Sequence, residues 1–204
     1  MAPTSAELFK RNEAYSPTHT PMPTIDEIIA MGGGAPKTCI ITCVDPRVHP
    51  EALLGLQFGE TFIFRTVAGH PQSALQDIAA LDIEGHNCLE DIMIIYHTGQ
   101  HLLKPLPCVL NNWFDSARTD CGSTRFDVPR IRSGWAERDP SSKLQVDEMT
   151  FGAVQARYGY DKQEDALRDD VKWLKEQPLV RKAQGINVKG YLYDLKSGKL
   201  QEVV

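Results

Sequence analysis

The sequence predicts an α/β fold: a central, mostly parallel β-sheet flanked by helices, preceded by a helical arm and closed by a hairpin. Three short apolar runs rich in β-branched residues, 37–43, 61–67 and 91–97, are typical of strands buried on both faces. Segments with helical periodicity separate these runs, and such an alternation predicts a parallel sheet with helices on its faces. The last residues, NVKGYLYDLKSGKLQEVV, predict a hairpin that turns at KSGK.

The chain begins with two predicted helices separated by a break. Residues 4–15, TSAELFKRNEAY, predict an amphipathic helix with Thr4 or Ser5 as its N-cap, and a proline-rich connector follows. We therefore interpret residues 1–24 as an arm. IDEIIAM predicts a second, short helix that ends at three consecutive glycines.

The helices that flank the sheet are also predicted from periodicity. Residues 49–59 and 73–86 lie between the predicted strands, and the second segment repeats its apolar residues at helical spacing. Residues 164–180 predict a helix with acidic residues early and lysines late, as the helix dipole favours. Residues 130–149 carry no pattern that predicts an element.

Composition narrows the classes of function. With 204 residues, of which 42% are hydrophobic, the chain can bury one full core, which predicts a single domain over residues 1–204. The net charge of -5 and the scattered basic residues argue against a nucleic-acid partner. No apolar run approaches the roughly 20 residues that cross a bilayer, so we expect a cytoplasmic protein without membrane contact. Five cysteines, an odd number, favour thiols or metal ligands over a disulfide framework.

Reactive side chains follow the predicted strands. Cys43, Asp45 and Arg47 come directly after the first strand, His97 ends the third, and Cys121 follows later. Ligands of open α/β sheets bind at the carboxyl ends of the strands, which a parallel sheet brings together. Thiolates and imidazoles are good zinc ligands, and a guanidinium keeps a neighbouring carboxylate ionised and oriented.

Each of these residues also has a simpler interpretation. Cys43 alone is more often a small buried hydrophobic residue than a ligand. Asp45 and Arg47 alone would be a surface ion pair of little energetic value. His97 alone could be a hydrogen-bonded core histidine. The combination favours a site, whereas two other thiols are expected to be structural: Cys39 in mid-strand and Cys88 after a helix.

The motifs at these strand ends resemble those of the β-class carbonic anhydrases, in particular the short type. The family's Cys-x-Asp-x-Arg motif corresponds to CVDPR, and its Arg-Asn-Ala-Gly motif corresponds to FRTVAG. Its His-Thr-Asp-Cys-Gly motif corresponds to YHT and DCGSTRF, which are separated in this chain. INVKGYLYDLKSGKL is similar to the family's last hairpin, so the resemblance covers nearly the whole chain.

The resemblance implies an active site and a reaction. Cys43, His97 and Cys121 would bind Zn²⁺, and Asp45 and Arg47 would be the catalytic pair. The reaction would be the reversible hydration of carbon dioxide to bicarbonate, in a homodimer or tetramer. In some members of the family the Asp binds the zinc in a closed state, and the sequence leaves both states open. A narrow pocket, formed partly by a neighbouring subunit, would be lined by residues such as Gln57, Phe58, Val67 and Ala68.

Two small departures from the family pattern alter the surroundings of this site. Pro46 stands where the family usually has Ser, which removes one N–H donor and favours an extended backbone at the preceding residue. Thr66 and Val67 replace the usual Asn, a milder change to the wall of the pocket.

The third departure is an interruption of the last motif. The family has His-x-x-Cys, but 23 residues separate His97 from Cys121. Removing residues 99–119 joins YHT to DCG and restores the family pattern with no residue left over. We therefore interpret these 21 residues as an inserted loop or as a retained intron that is translated in frame.

Two other functions remain open. The same scaffold could hydrolyse a sulfur analogue of carbon dioxide, either carbonyl sulfide or carbon disulfide. Alternatively the interruption could displace Cys121 and leave an inactive homologue without zinc. A nucleotide-binding protein of similar architecture is disfavoured, because no glycine-rich phosphate loop follows the first strand.

Overall fold

The computed structural model describes residues 2–98, 121, 133–135, 137–138, 141, 163–180 and 185–204. The chain divides into two compact units, Met1–Gly34 and Ala35–Val204. The predicted arm falls within the first unit. The predicted insertion, residues 99–119, lies outside the described residues, as does most of 130–149.

The first unit consists of helix α1 (Ser5–Tyr15), a single 3-10 turn (Ser16–Thr18) and helix α2 (Ile25–Ala30). Each α-helix begins with a capping box, in which a Thr hydroxyl and a Glu carboxylate three residues later bond each other's backbone N–H: Thr4 with Glu7, and Thr24 with Glu27. Neither helix buries a residue. The large apolar side chains that stay exposed are Leu8, Phe9, Tyr15, Met22, Ile25, Ile29 and Met31.

The second unit contains a five-stranded sheet in the order β2-β1-β3-β4-β5. The strands are β1 (Thr38–Cys43), β2 (Thr61–Thr66), β3 (Asp91–Thr98), β4 (Asn187–Asp194) and β5 (Leu200–Glu202). The first four are parallel to their neighbours, and β5 pairs antiparallel with β4 to form the predicted hairpin. The predicted α/β architecture is therefore confirmed.

Helices flank this sheet. Those with bounds within the described residues include α3 (Pro50–Leu54), α4 (Leu75–Glu84) and α5 (Gln163–Glu176), and two 3-10 turns, Val67–Gly69 and Pro71–Ser73, lead from β2 into α4. One continuous core contains side chains of β1, β3, β4, α4 and α5, among them Ile41, Ile94, Val188, Ile78 and Leu167. No helix in the described parts of the chain is long and apolar enough to cross a membrane.

The burial of the strands follows their place in the sheet. β1 and β3 have neighbours on both sides and are almost entirely buried. The prediction that residues 61–67 form a strand buried on both faces is wrong, because β2 lies at the edge of the sheet and its side chains are half-buried or exposed. Strand order depends on pairings distant in sequence, which the local apolar run does not reveal.

Candidate metal centre

Three side chains that can bind a metal converge at the carboxyl edge of the sheet. The ligand atoms of Cys43, His97 and Cys121 all lie within 4.8 Å of one another, and all three residues are buried. Cys43 is the last residue of β1, and His97 is the penultimate residue of the adjacent parallel strand β3. The structure thus brings together the three predicted ligands, including Cys121.

The spacing of the two sulfurs suits a tetrahedral metal. The Sγ atoms of Cys43 and Cys121 are 3.8 Å apart. Two thiolates bound at about 2.3 Å to a tetrahedral zinc would be separated by roughly 3.8 Å. The same distance is far longer than the roughly 2.05 Å of a disulfide bond, so the two sulfurs are not bonded to each other.

The electrostatics of the two thiols also favour a cation. The neighbouring Cys121 sulfur, followed by burial, raises the pKa of Cys43 above its ordinary value. Backbone N–H groups of Asp45 and Ala68 that bond the Cys43 sulfur act in the opposite direction. Two adjacent buried thiols cannot both ionise unless a positive charge shares the site, so this pair fits a divalent metal.

His97 has the environment of a ligand more than that of a core histidine. Its side chain is 1% exposed, and neither ring nitrogen has a hydrogen-bond partner among the described residues. A buried polar atom without a partner is unfavourable by about 1–3 kcal/mol. Binding a metal through one ring nitrogen would satisfy it, so the residue fits a zinc ligand.

Asp45 and Arg47 form a well-defined pair beside these ligands. The guanidinium of Arg47 donates to both carboxylate oxygens of Asp45, at 2.9 Å from Nε and 2.7 Å from Nη2, and the Arg47 backbone N–H donates at 2.9 Å. These side-chain bonds lower the pKa of Asp45 to about 2 against the opposing effect of burial. The second oxygen lies 3.7 Å from His97 Nε2, so an ionised carboxylate stands next to the three candidate ligands.

The other predicted residues lie at two different ends of β2. Val44 and Val67 are exposed in the single chain and follow the paired strand ends Cys43 and Thr66, so an apolar surface adjoins the site, whereas Phe58 is exposed and precedes β2. Gln57 is also exposed, whereas Ala68 is half-buried in the turn after β2. Of the thiols expected to be structural, Cys39 is fully buried and Cys88 half-buried, and burial raises the pKa of Cys39 to about 12.

A group of interacting residues near the site was not predicted from the sequence. Asp170 on α5 binds His70 and Gln72, which follow the turn after β2, and it also accepts a hydrogen bond from Tyr96 on β3. Arg65 on β2 donates to the carbonyl of Val48 in the loop that carries Asp45 and Arg47. These partners are distant in the chain, so no motif connects them.

Comparison with known proteins agrees with this geometry. Residues 38–99 match the family model described as carbonic anhydrase. A solved carbonic anhydrase from Glaciozyma antarctica has a TM-score of 0.66 at 20% identity, and one from Streptococcus mutans has a TM-score of 0.65 at 22% identity; each comparison covers 100% of both chains. A solved β-carbonic anhydrase from Trichomonas vaginalis gives a TM-score of 0.66 at 15% identity over 99% of this chain and 98% of that one.

A relative with a different activity is also similar. The carbon disulfide hydrolase of Saccharolobus solfataricus is 23% identical over 177 residues, which cover 80% of this chain and 75% of that protein. The segment that carries Cys43, Asp45, Arg47 and His97 thus matches the carbonic anhydrase family, and the chain shares the fold of solved β-carbonic anhydrases. These matches confirm the resemblance to the β-class carbonic anhydrases that the sequence motifs indicate.

Proposed function

We propose that the protein catalyses the zinc-dependent, reversible hydration of carbon dioxide to bicarbonate and a proton. The observation that carries this proposal is the convergence of Cys43, His97 and Cys121 within 4.8 Å, next to an ionised Asp45. Two thiolates and one imidazole form a donor set that zinc prefers, and three protein ligands leave a position open for chemistry.

The residues around the metal position would each have a defined task. Zinc, when bound, supplies Lewis acidity that lowers the pKa of water toward neutrality. Asp45, ionised at neutral pH, can only accept hydrogen bonds, so it would take the O–H of the attacking water and orient the oxygen lone pair toward the carbon of the substrate. Arg47 would keep this carboxylate ionised and correctly oriented.

The contacts of Asp45 favour a role beside the metal over a role as fourth ligand. Arg47 holds both carboxylate oxygens of Asp45, so a movement of the carboxylate onto a metal would strain or break this two-point contact. The proposal therefore assigns the described arrangement to the open state of the site.

We also propose that the protein is an oligomer and that it works in the reducing cytoplasm. Val44 and Val67 are exposed beside the site, so a neighbouring subunit would complete the wall of an apolar pocket for carbon dioxide. A homodimer or a tetramer would provide that subunit. Two adjacent thiols that form no disulfide persist best in the reducing cytoplasm.

Metal analysis and a carbon dioxide hydration assay test the proposal directly. The purified protein is expected to contain one zinc per chain and to acidify a carbon dioxide solution faster than buffer in a stopped-flow indicator assay. Cys43→Ser is expected to abolish both properties, because a neutral hydroxyl is a poor replacement for a thiolate. Cys39→Ser, in the same strand but outside the trio, is the control and is expected to keep its zinc. A parent protein without zinc would refute the proposal and support an inactive homologue.

A second candidate is the hydrolysis of carbon disulfide or carbonyl sulfide at the same site. It is supported by the similarity to the Saccharolobus carbon disulfide hydrolase. Turnover of the three gases by the same zinc-loaded preparation separates the candidates. We expect kcat/KM to be highest for carbon dioxide; faster turnover of either sulfur compound would make this second candidate correct.

A further inference from the structure

A buried polar cluster joins three elements beside the candidate metal centre. Asp170 on α5 accepts a hydrogen bond from His70 Nδ1 at 2.5 Å and another from the Tyr96 hydroxyl, which lies 2.6 Å from the same His70 nitrogen. Gln72 Nε2 donates to the other carboxylate oxygen at 2.8 Å. His70, Tyr96 and Asp170 are each at most 5% exposed. Such an enclosed network holds its members in one arrangement.

The cluster holds the backbone turn Val67–Gly69 through the residues on either end of it. Thr66 Oγ1 donates to the carbonyl of His70 at 2.9 Å, which closes the turn, and Asp170 anchors both His70 and Gln72 immediately after it. Within the turn, Ala68 has φ 66°, a left-handed conformation that is unfavourable by about 1–2 kcal/mol for a residue with a side chain. Tertiary contacts must therefore stabilise the turn, and the cluster supplies them.

The turn is packed directly on the first candidate ligand. A Cβ placed on Gly69 would lie 3.3 Å from the backbone nitrogen of Cys43 and 3.3 Å from Cδ1 of Tyr96. The N–H of Ala68, in the same turn, is one of the two backbone donors to the Cys43 sulfur. A small displacement of the turn would therefore change both the position of Cys43 and the number of hydrogen bonds to its sulfur.

We propose that Tyr96, His70 and Asp170 are positioning residues which hold the turn Val67–Gly69 against Cys43 and so raise the protein's affinity for its metal ion. The inference rests on the proposed function, because it requires Cys43 to be a ligand. Groups that orient the ligands of a metal typically change its affinity about 10–100-fold when they are removed. None of the three residues is itself one of the candidate metal ligands.

Two conservative variants and one matched control test this proposal. Tyr96→Phe removes a single hydroxyl, and Asp170→Asn removes the charge while it keeps the shape. Asp82→Asn is the control, because Asp82 is also a buried carboxylate and accepts the N–H of Leu89 at 3.0 Å. Leu89 precedes β3, whose ends lie roughly 23 Å apart at about 3.3 Å per residue, so the control acts at the opposite end of the strand from His97.

The measurements are Zn²⁺ affinity, by competition with a chelator of known affinity, and the sulfur-to-cobalt charge-transfer absorption of the Co²⁺-substituted protein. We expect Tyr96→Phe and Asp170→Asn each to weaken Zn²⁺ binding about 10–100-fold and to shift the absorption, and the double variant to lose little more than either single variant. Asp82→Asn is expected to lose stability yet leave affinity and spectrum unchanged.

The proposal is overturned if folded Tyr96→Phe binds Zn²⁺ within twofold of the parent, or if Asp82→Asn weakens binding as much as the cluster variants do. Tyr96→Phe decides the matter if Asp170→Asn does not fold. If the parent binds Zn²⁺ but hydrates no carbon dioxide, the proposed function alone is refuted. The Zn²⁺ affinities of the variants then still test whether the cluster positions Cys43.

Discussion

Replacing Gly69 by Ala is the most direct way to disturb the contact between the turn and Cys43. Gly69 has φ 81°, a left-handed backbone conformation that favours glycine. A Cβ at this position would lie 3.3 Å from the Cys43 nitrogen and 3.4 Å from the carbonyl oxygen of Ile95. Both are backbone atoms of central strands, which can yield little.

Two energetic contributions add at this position. The left-handed conformation is unfavourable for Ala by about 1–2 kcal/mol, and overpacking against rigid neighbours adds about 1–3 kcal/mol. We therefore expect Gly69→Ala to destabilise the fold by roughly 2–5 kcal/mol, which for a chain of this size lowers Tm by about 4–20 °C. Because the new methyl group pushes against Cys43, Zn²⁺ affinity should fall as well.

Gly55→Ala is the control that separates the backbone strain of a left-handed residue from the contact of its new methyl group with neighbouring atoms. Gly55 ends helix α3 with φ 64°, and a Cβ there would meet no atom of the described residues within 4 Å. It should show only the strain, about 1–2 kcal/mol, and unchanged Zn²⁺ affinity. The assays are urea unfolding of the zinc-loaded and chelator-treated proteins and Zn²⁺ competition. If Gly69→Ala and Gly55→Ala lose the same free energy of unfolding and keep the same Zn²⁺ affinity, the contact with Cys43 has no effect and the reasoning is wrong.

Four further predictions use other parts of the chain. Gly190→Ala should destabilise the protein by about 1–3 kcal/mol in urea unfolding, because its Cβ would lie 2.8 Å from Leu167 Cγ and 3.0 Å from Val171 Cγ2. Burial alone would raise the pKa of Asp170, but the hydrogen bonds from His70, Tyr96 and Gln72 outweigh it and lower the pKa. The stability from Asp170 is thus present above about pH 4 and lost as pH falls through the lowered folded pKa. The free energy of unfolding should therefore fall less steeply below about pH 4 in Asp170→Asn than in the parent. Sedimentation at micromolar concentration should show a dimer or tetramer, and a monomer would contradict the proposal that a neighbouring subunit completes the pocket. Deleting residues 99–119 should keep or raise Zn²⁺ affinity, hydration rate and Tm together.

The strands and the ligand edge could be predicted because their signals are local. The β-branched runs ending at Cys43 and His97 predict buried strands, and the rule for parallel sheets then places both ends at one edge. The half-buried state of β2 could not be predicted, because it depends on strand order. The role of Cys121 came from the family resemblance, since 23 residues separate it from His97.

The Tyr96, His70 and Asp170 cluster was missed because its bonds join residues 74 and 100 positions apart. One signal could have indicated it. Asp170 lies three residues after Leu167 and four before Leu174, in the apolar stripe of α5 that packs into the core. A carboxylate in such a stripe must find buried donors, so it predicts a polar network even when its partners are unknown.

The place of Cys121 makes the deletion of residues 99–119 a decisive experiment. Its sulfur lies 3.8 Å from that of Cys43 although these 21 residues separate Thr98, the end of β3, from Asp120. Closing a flexible loop of this length loses roughly 3 kcal/mol of chain entropy, and a bound structural zinc, which contributes about 10–16 kcal/mol in small domains, can offset that loss. Joining Thr98 directly to Asp120 removes the loss and should tighten zinc binding. A variant with residues 99–119 in shuffled order is the control, because a mere spacer tolerates any order. If the deletion loses zinc or does not fold, and the shuffled variant fails in the same way, the segment is an evolved part of the site and its interpretation as an interruption is wrong.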